Sequence, residues 1–491
     1  MSRCPDNTLV LIQPPEDYLL NGQANGLVAI ACWLRQRLPS SNVILLDFGN
    51  SSVSNLVEDV SKRLKFSHGQ IFFGITAVSA SYQSALEVAR SLKDIIPHSI
   101  VFLGGPHSTV QDDVILRHNK CIDYVIRGEG ERATEQLLRS YPDIYDVPNL
   151  TYRCGTQIRR NPLATLLNGI DLDQILPAES WSCSNSGLGK FGRMTYVSSR
   201  GCSRQCAFCA VGTGQTRFKS VKAVARDLQI LIEEMGFQEL SIEDNFFAQS
   251  PRRAIDVCYI IERLQETRSF KWDCQTRVES CEDFRVIESL ERASCDQVYL
   301  GLESLSCDKL KYLEKARRPH SYIDSFVNRV VPRLLQSRIP HIAVNLQFGL
   351  PDESPVEFAE TLRVFETLGN LALKYQKQMK VCPQLHVVYP GTRLFQRLQA
   401  QRQFGLTSDT VFERFTLWEK TTRCFRVWMG ENFAHGTGGI PVGILNTNLL
   451  SKGEFAIEED AIHRISEEIR SLAQLPGLKV LDYGSRLSAT A

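Results

Sequence analysis

Three cysteines lie within eight residues of one another, at positions 202, 206 and 209, in the run GCSRQCAFC. Thiolates are the usual ligands of iron–sulfur clusters. Three thiolates on one loop can hold three irons of a cubane cluster and leave the fourth iron open to a small chelating ligand. A zinc site requires four ligands, and no nearby His or Cys supplies a fourth. We therefore predict that Cys202, Cys206 and Cys209 hold a [4Fe–4S] cluster at a catalytic metal centre.

The loop follows a short apolar run, and further strand-like and helix-like runs alternate after it. Six strand–helix units predict a partial (β/α)6 barrel, smaller than the eight-unit closed form. We predict its strands at residues 194–198, 240–243, 271–274, 297–302, 341–348 and 384–389. Helices are predicted between the strands, for example at residues 221–235, 253–265 and 356–367.

The triad, with Phe208 beside its last cysteine, resembles the signature of the radical S-adenosylmethionine (SAM) superfamily. The family's later strand-end motifs are matched in order by residues 241–246, 299–304, 347–354 and 388–392. The resemblance spans residues 190 to about 400. It implies reductive cleavage of SAM to methionine and a 5′-deoxyadenosyl radical.

The same resemblance implies which residues contact SAM, and Phe208 is counted among them. Glu243 or Asp244 would accept hydrogen bonds from the SAM amine. Glu303 and Ser304, in the run YLGLES, would hold the amine or the ribose hydroxyls. Arg277 would pair with a carboxylate, and a structural salt bridge is the other interpretation of this arginine.

The first 140 residues contain a second alternating series, which predicts a doubly wound, Rossmann-like parallel sheet. Ligands of such sheets bind outside the carboxyl ends of the strands. Two glycine-rich runs, GGPH at residues 104–107 and RGEGE at residues 127–131, fall at these ends. The strands are predicted at residues 8–12, 43–47, 71–76, 100–103 and 124–126.

This region resembles the cobalamin (vitamin B12)-binding domain that precedes many radical SAM barrels. The resemblance rests on the prolines after the first strand, on Gly26, on Asp47 and on the two glycine-rich runs. The motif Asp-x-His-x-x-Gly, which gives cobalt a His ligand, is missing, so we expect no His on the lower face of the metal. A domain that keeps the fold without the cofactor is the alternative. The implied cobalamin contacts are Pro14, Gly104, Gly105, His107, Gly128 and Glu129.

The predicted domains are residues 1–145 (cobalamin-binding), 146–190 (a linker with one hairpin), 191–400 (barrel) and 401–491 (a C-terminal substrate or capping region). The formal net charge of +1 calls for no nucleic acid, and no apolar run approaches the roughly 20 residues that cross a bilayer. Because no signal peptide is seen, we expect a cytoplasmic protein. The other twelve of its fifteen cysteines, Cys183 being the nearest upstream, are expected to be free thiols rather than cluster ligands.

Three functions remain open from the sequence. The first is a methyltransferase that moves a methyl group, through methylcobalamin, to an unreactive carbon or phosphorus of a small molecule or peptide. The second is an oxidative cyclase or rearrangement enzyme without methyl transfer. The third is a non-catalytic sensor that carries the cluster and cobalamin. Either enzyme would need an electron donor such as flavodoxin or ferredoxin.

Overall fold

The computed structural model describes residues 7–15, 25–47, 52–64, 69–78, 81–176, 193–211, 214–350, 352–386, 388–400 and 459–480. These residues divide into two compact units, one up to residue 176 and one from residue 193. No helix in these ranges is long and apolar enough to cross a membrane. Cys183 and most of the predicted capping region lie outside the described residues.

The first unit is built on a seven-stranded sheet in the order β2-β1-β3-β4-β5-β6-β7. The five predicted strands are confirmed and run parallel. The strands are β1 (Thr8–Gln13), β2 (Asn42–Asp47), β3 (Ile71–Thr76), β4 (Ile100–Gly104), β5 (Tyr124–Ile126), β6 (Leu150–Cys154) and β7 (Gln157–Arg160).

Helices connect the parallel strands, so the predicted doubly wound architecture is confirmed. Strand β1 lies between β2 and β3, and the winding of the chain reverses there. Such a reversal opens a crevice at the carboxyl ends of β1 and β3, and ligands of these sheets bind in such a crevice. The helices are α1 (Asn25–Arg37), α2 (Val53–Leu64), α3 (Tyr82–Ile95), α4 (Pro106–His118), α5 (Glu131–Ser140) and α6 (Gly169–Asp173).

The hairpin β6–β7 extends this sheet past residue 145, where the sequence predicted the domain to end. Strand β6 pairs antiparallel with β5. The buried carboxylate of Asp112 fixes the hairpin by accepting two hydrogen bonds of 2.7 Å from Arg160 and one of 2.7 Å from Thr151. Burial opposes ionisation of Asp112, but these hydrogen bonds outweigh it and lower the pKa of the carboxyl. The hairpin is thus part of the first unit.

The second unit is an all-parallel sheet in the order β16-β15-β14-β13-β12-β11-β8. Its strands are β8 (Arg193–Tyr196), β11 (Glu239–Ile242), β12 (Lys271–Thr276), β13 (Gln297–Glu303), β14 (His341–Phe348), β15 (Met379–Leu385) and β16 (Leu478–Val480). A separate two-stranded ladder is formed by β9 (Ser199–Gly201) and β10 (Thr216–Phe218). The predicted parallel barrel is confirmed, and the C-terminal region adds a seventh strand to it.

The sixth predicted strand, at residues 384–389, is wrong in position, because β15 begins at Met379. Pro383, which cannot donate to a strand ladder, makes this run look unlike a central strand. Among the described residues, β16 pairs with β15 from Met379 to Val381, and this register does not reach Pro383.

Helices cover the outside of the second sheet, as its predicted alternation requires. The helix predicted at residues 221–235 ends in a π-helical turn, Ile230–Glu234. The helices are α7 (Val221–Gln229), α8 (Pro251–Thr267), α9 (Phe284–Arg292), α10 (Cys307–Tyr312), α11 (Pro319–Ser325), α12 (Val331–Gln336), α13 (Pro355–Lys374), α14 (Arg393–Ala400) and α15 (Glu459–Ala473).

Candidate functional site

The three cysteines lie on the loop between β9 and β10, directly after β8. At the base of the loop, Gly201 pairs with Thr216 and Ser199 pairs with Phe218 in the antiparallel ladder. The sequence did not predict this ladder. It closes the loop at its base, at the carboxyl end of the first barrel strand.

Backbone hydrogen bonds hold the cysteine loop against segments that follow other strands. The Ala207 N–H donates to Leu313 O at 2.8 Å, and the Leu394 N–H donates to Ala207 O at 2.7 Å. The Ser203 N–H donates to Gln249 Oε1 at 3.0 Å. The loop is therefore positioned by segments after β11, β13 and β15.

The thiols suit a buried metal cluster in type and in surroundings. Cys202 and Cys206 are 9% and 7% exposed, and Cys209 is half-buried. Burial raises the pKa of the Cys209 thiol, and the neighbouring Cys206 and Cys202 raise it further. Within the described part of the chain, no three His, Cys, Asp or Glu side chains are grouped so that they could hold a metal ion. Ligation of a cluster by the triad stays a prediction.

Arg277, one residue past β12, faces the cysteine loop. Its Nη1 donates to Cys206 Sγ at 3.3 Å. The same guanidinium donates from Nε and Nη2 to the Glu279 carboxylate at 3.2 and 2.9 Å, and from Nη2 to Lys315 O at 2.6 Å. The structure thus shows Arg277 in an ion pair within its own chain, and its pairing with a ligand carboxylate stays a prediction.

Glu303 ends β13 in a strained backbone conformation. Its φ is +75°, in the left-handed region that non-glycine residues rarely adopt, and the register with β14 shifts between Gly301 and Glu303. Its carboxylate is fixed on both sides, because Oε1 accepts from Lys315 Nζ at 3.0 Å and Oε2 accepts from Gln347 Nε2 at 2.9 Å. Strain of this kind is typical of functional sites.

This network continues to His386, which the sequence did not single out. Gln347 Oε1 lies 2.7 Å from His386 Nδ1. Burial lowers the pKa of His386 to about 4, so the ring is neutral near pH 7. Two buried side-chain atoms, Nε2 of His386 and Oδ1 of Asn345 on β14, have no hydrogen-bond partner among the described residues. A polar ligand at the strand ends could satisfy them.

The two neighbouring carboxylates after β11 have different environments. Asp244 is buried and accepts hydrogen bonds of 2.6 and 2.8 Å from the N–H groups of Ser198 and Ser199. Burial raises the pKa of Asp244, while these serines oppose the rise. Asp244 therefore holds the turn that leads into the cysteine loop. Glu243 is half-buried and accepts from the Ser241 hydroxyl at 2.8 Å, so it is the better of the two for an amine ligand.

The other predicted SAM contacts are less constrained by the structure. Phe208 is half-buried on the cysteine loop. Ser304 follows Glu303, and its hydroxyl accepts from the Ser306 N–H at 3.0 Å. Both residues stay predicted contacts.

A small cleft, open to solvent, lies beside Glu303 and Gln347. Its wall includes Glu353, from the β14–α13 loop, and Glu468, from α15. Burial, together with the nearby Glu468 carboxylate, raises the pKa of Glu353 to about 7. The C-terminal helix thus contributes to a cleft that the sequence did not predict.

In the first unit, the predicted glycines differ in the space that surrounds them. At Gly105, with φ +93°, a Cβ would lie 2.8 Å from Ala77 O, so this glycine is needed by the turn itself. At Gly104 the nearest atom to a Cβ is Ile126 O at 3.8 Å. At Gly128, with φ +69°, a Cβ would meet nothing within 4 Å. The backbone at Gly128 is therefore open to a bulky flat cofactor, whereas the sequence had assigned that role equally to Gly105.

The remaining predicted cobalamin contacts support these loops from within. His107 is 3% exposed and stacks on Tyr82 at 4.3 Å, and burial lowers its pKa to about 4. Glu129 accepts from the Leu167 N–H at 2.8 Å, and Pro14 is buried after β1. Thr109 joins the two glycine runs, because its hydroxyl donates to Gly105 O and accepts from the Gly128 N–H, both at 2.9 Å. This edge offers open backbone to a cofactor, and a cobalt without a His ligand stays a prediction.

Comparisons with known proteins match both units. Residues 19–138 match the B12 binding domain family, and residues 196–365 match the radical SAM superfamily. An uncharacterized methyltransferase of Pyrococcus horikoshii is 27% identical over 405 residues, which cover 79% of this chain and 82% of that protein. The anaerobic magnesium-protoporphyrin IX monomethyl ester cyclase of Cereibacter sphaeroides is 24% identical over 341 residues. The match to the cyclase covers 66% of this chain and 53% of that protein, so the chain spans about half of its length.

One solved structure shows the same fold. It is the radical SAM methyltransferase TsrM from Kitasatospora setae, with cobalamin and a [4Fe–4S] cluster bound. The TM-score is 0.63 at 14% identity, and the match covers 82% of this chain and 75% of that chain.

Replacing Gly128 with Leu should weaken cobalamin binding at least tenfold, because the new side chain fills the open space over that backbone. Gly155, in the turn after β6, is the matched control. Its φ is +60°, a Cβ there also meets nothing within 4 Å, and the antiparallel course of β6 puts it at the opposite edge of the sheet. Both variants carry the same backbone strain of about 1–2 kcal/mol. Absorbance after reconstitution with hydroxocobalamin measures binding, and equal loss in both variants would contradict this assignment.

Proposed function

We propose that this chain, which belongs to the radical SAM superfamily and carries an N-terminal B12-binding domain, transfers a methyl group to an unactivated carbon or phosphorus of a biosynthetic intermediate or peptide. The observation that carries the proposal is the pairing of two sites in one chain. One is a strand-end loop with three cysteines, and the other is a sheet edge that fits cobalamin. The bound cofactors supply a 5′-deoxyadenosyl radical and a transferable methyl group.

The relatives favour methyl transfer over the two alternatives. The Pyrococcus horikoshii protein, named a methyltransferase, matches 79% of this chain. The cyclase matches less of it, and oxidative cyclisation or rearrangement is the second candidate function. A sensor is disfavoured because the named relatives are enzymes and the strained carboxylate of Glu303 is typical of a site that binds a reacting ligand.

The residues of the second unit would bind and orient SAM. Cys202, Cys206 and Cys209 would hold the cluster, which would supply the electron that cleaves SAM. Glu243 would accept from the amine. Glu303 is fixed by Lys315 and Gln347, so it would accept from a ribose hydroxyl or the amine without reorganising.

In the first unit, cobalamin would rest on backbone rather than on side chains. The open backbone at Gly128 and Gly104 and the proline after β1 line the carboxyl edge of the sheet. His107 is buried in α4. The lower face of cobalt would therefore have no His ligand from this residue.

The electron would come from a carrier such as flavodoxin or ferredoxin that docks near the cysteine loop. Arg204 lies on that loop, is 44% exposed and lies 4.0 Å from Glu279. Arg393 is 51% exposed, donates to Gln205 O at 2.9 Å and pairs with Glu314 at 2.8 Å. Arg317 and Arg318 are exposed just after Lys315 and form no ion pair with a described residue. These arginines favour a carrier with an acidic face.

Anaerobically reconstituted protein should contain about four irons and four sulfides, as a cubane cluster does. The triple variant Cys202→Ala, Cys206→Ala, Cys209→Ala should lose them, and Cys183→Ala should keep them. Iron and sulfide analysis measures both. Full iron in the triple variant would exclude the triad as the cluster site, and loss of half the iron in Cys183→Ala would require a further ligand.

Methyl transfer can be tested before the substrate is known. Reduced protein loaded with cobalamin and given SAM with a trideuterated methyl group should form S-adenosylhomocysteine and cobalamin that carries the labelled methyl. It should also form 5′-deoxyadenosine slowly. Mass spectrometry separates these products. Deoxyadenosine without labelled cobalamin would favour the cyclase or rearrangement function, and uncleaved SAM would contradict both.

The docking of the electron carrier should depend on salt. Because exposed charges are screened over about 8 Å at physiological ionic strength, the rate of cluster reduction by flavodoxin should fall several-fold between low and high salt. The double variant Arg317→Gln, Arg318→Gln should be slower at low salt and less sensitive to salt. Stopped-flow absorbance measures the rate, and a rate independent of salt would rule out a charged docking face.

A further inference from the structure

The contact between Arg277 and Cys206 has no role in the function proposed so far. The side chain of Arg277 is 8% exposed, and its Nη1 lies 3.3 Å from the sulfur of a predicted cluster ligand. A guanidinium is always charged in proteins. A buried cation therefore stands directly against the triad.

Two groups hold this cation in place. Glu279 binds it through two hydrogen bonds, and the backbone carbonyl of Lys315 accepts a third at 2.6 Å. Burial opposes the charge of Arg277, but the Glu279 carboxylate outweighs it and raises the pKa of the guanidinium. Glu279 is 27% exposed and also lies 4.0 Å from Arg204. The arrangement is thus a buried cation with a partly solvated anion behind it.

We propose that the pair of Arg277 and Glu279 sets the reduction potential of the cluster held by the triad. Reduction adds one electron, supplied by the carrier, to the cluster and its thiolates. Net charge and hydrogen bonds to sulfur are the levers by which proteins adjust such potentials. Arg277 stabilises the added negative charge through Cys206 and so raises the potential. Glu279 is more exposed than Arg277, so it opposes the added charge with more screening by water.

The two members of the pair consequently act in opposite directions. Arg277→Gln removes the positive charge and should make the cluster harder to reduce. Glu279→Gln removes the negative charge and keeps one acceptor for Arg277, so it should make reduction easier. A residue that only stabilises the fold would not produce shifts of opposite sign.

The structure offers a matched control pair at the other end of the strands. Arg338 and Glu291 form an ion pair at 3.1 Å, and Arg338 precedes β14, at the amino-terminal end of that strand. The variants Arg338→Gln and Glu291→Gln change the same charges away from the cysteine loop.

The test is a redox titration of the reconstituted protein, without SAM or substrate, followed by electron paramagnetic resonance. At the wild-type midpoint, Arg277→Gln should lower the ratio of reduced to oxidised cluster about tenfold, which is 59 mV for one electron. Glu279→Gln should shift the ratio the other way, and the control pair should not shift it. Iron analysis confirms that each variant is fully loaded.

If Arg277→Gln fails to hold iron, Arg277→Lys keeps the charge and should shift the midpoint by less than the tenfold change expected for the Gln variant. Glu279→Gln then supplies the test of sign. Shifts of the same sign, or none, in loaded variants at positions 277 and 279 overturn the proposal. It rests on the cluster assignment above, so wild-type protein without a cluster overturns both, whereas a loaded cluster that is indifferent to these charges overturns only this inference.

Discussion

The second unit depends on pairing the charged side chains that it buries at the carboxyl ends of its strands. An unpaired charge in such a place costs several kcal/mol or more. The chain avoids this cost because hydrogen bonds link the buried groups at one strand end to those at the next. Arg277 donates hydrogen bonds to Cys206 and to the carbonyl of Lys315, and the ammonium of Lys315 donates to Glu303. Glu303 also accepts from Gln347, which is hydrogen-bonded to His386. A ligand at these strand ends would enter a network whose members are already oriented.

The first unit also has a carboxyl edge at which a ligand would bind, but the groups at that edge are different. Its described loops place open backbone at Gly104 and Gly128 on the carboxyl edge, and the buried carboxylate of Asp112 fixes the hairpin. Thr109 joins the two glycine loops through its hydroxyl. In the proposed assignment, cobalamin would lie against backbone, whereas SAM would be held by hydrogen bonds from side chains.

The alternating strands and helices could be predicted from the sequence because each element carries its own apolar pattern. Leu9–Ile12 is an example, since its members are at most 1% exposed. Elements whose place depends on distant partners were missed. The sequence predicted a hairpin after residue 145, but not that β6 would pair with β5 and be fixed by Asp112. Three-residue β16 is a strand only because β15 lies beside it. The residues of the site likewise divide into those that a local pattern marks and those whose role depends on distant partners. Adjacent Glu243 and Asp244 could not be told apart without Ser198, and no local signal marks Lys315 or His386.

The pairing of β16 with β15 joins segments about 100 residues apart. A ribosome adds roughly 5–20 residues each second, so β15 emerges about 5–20 seconds before the strand that covers part of its edge. An uncovered edge offers N–H and C=O groups to other chains and invites aggregation. Pro383 removes one of those N–H groups. Pro383 makes β15 look unlike a central strand in the sequence. The same residue is thus suited to protect the nascent chain from aggregation before β16 joins the sheet.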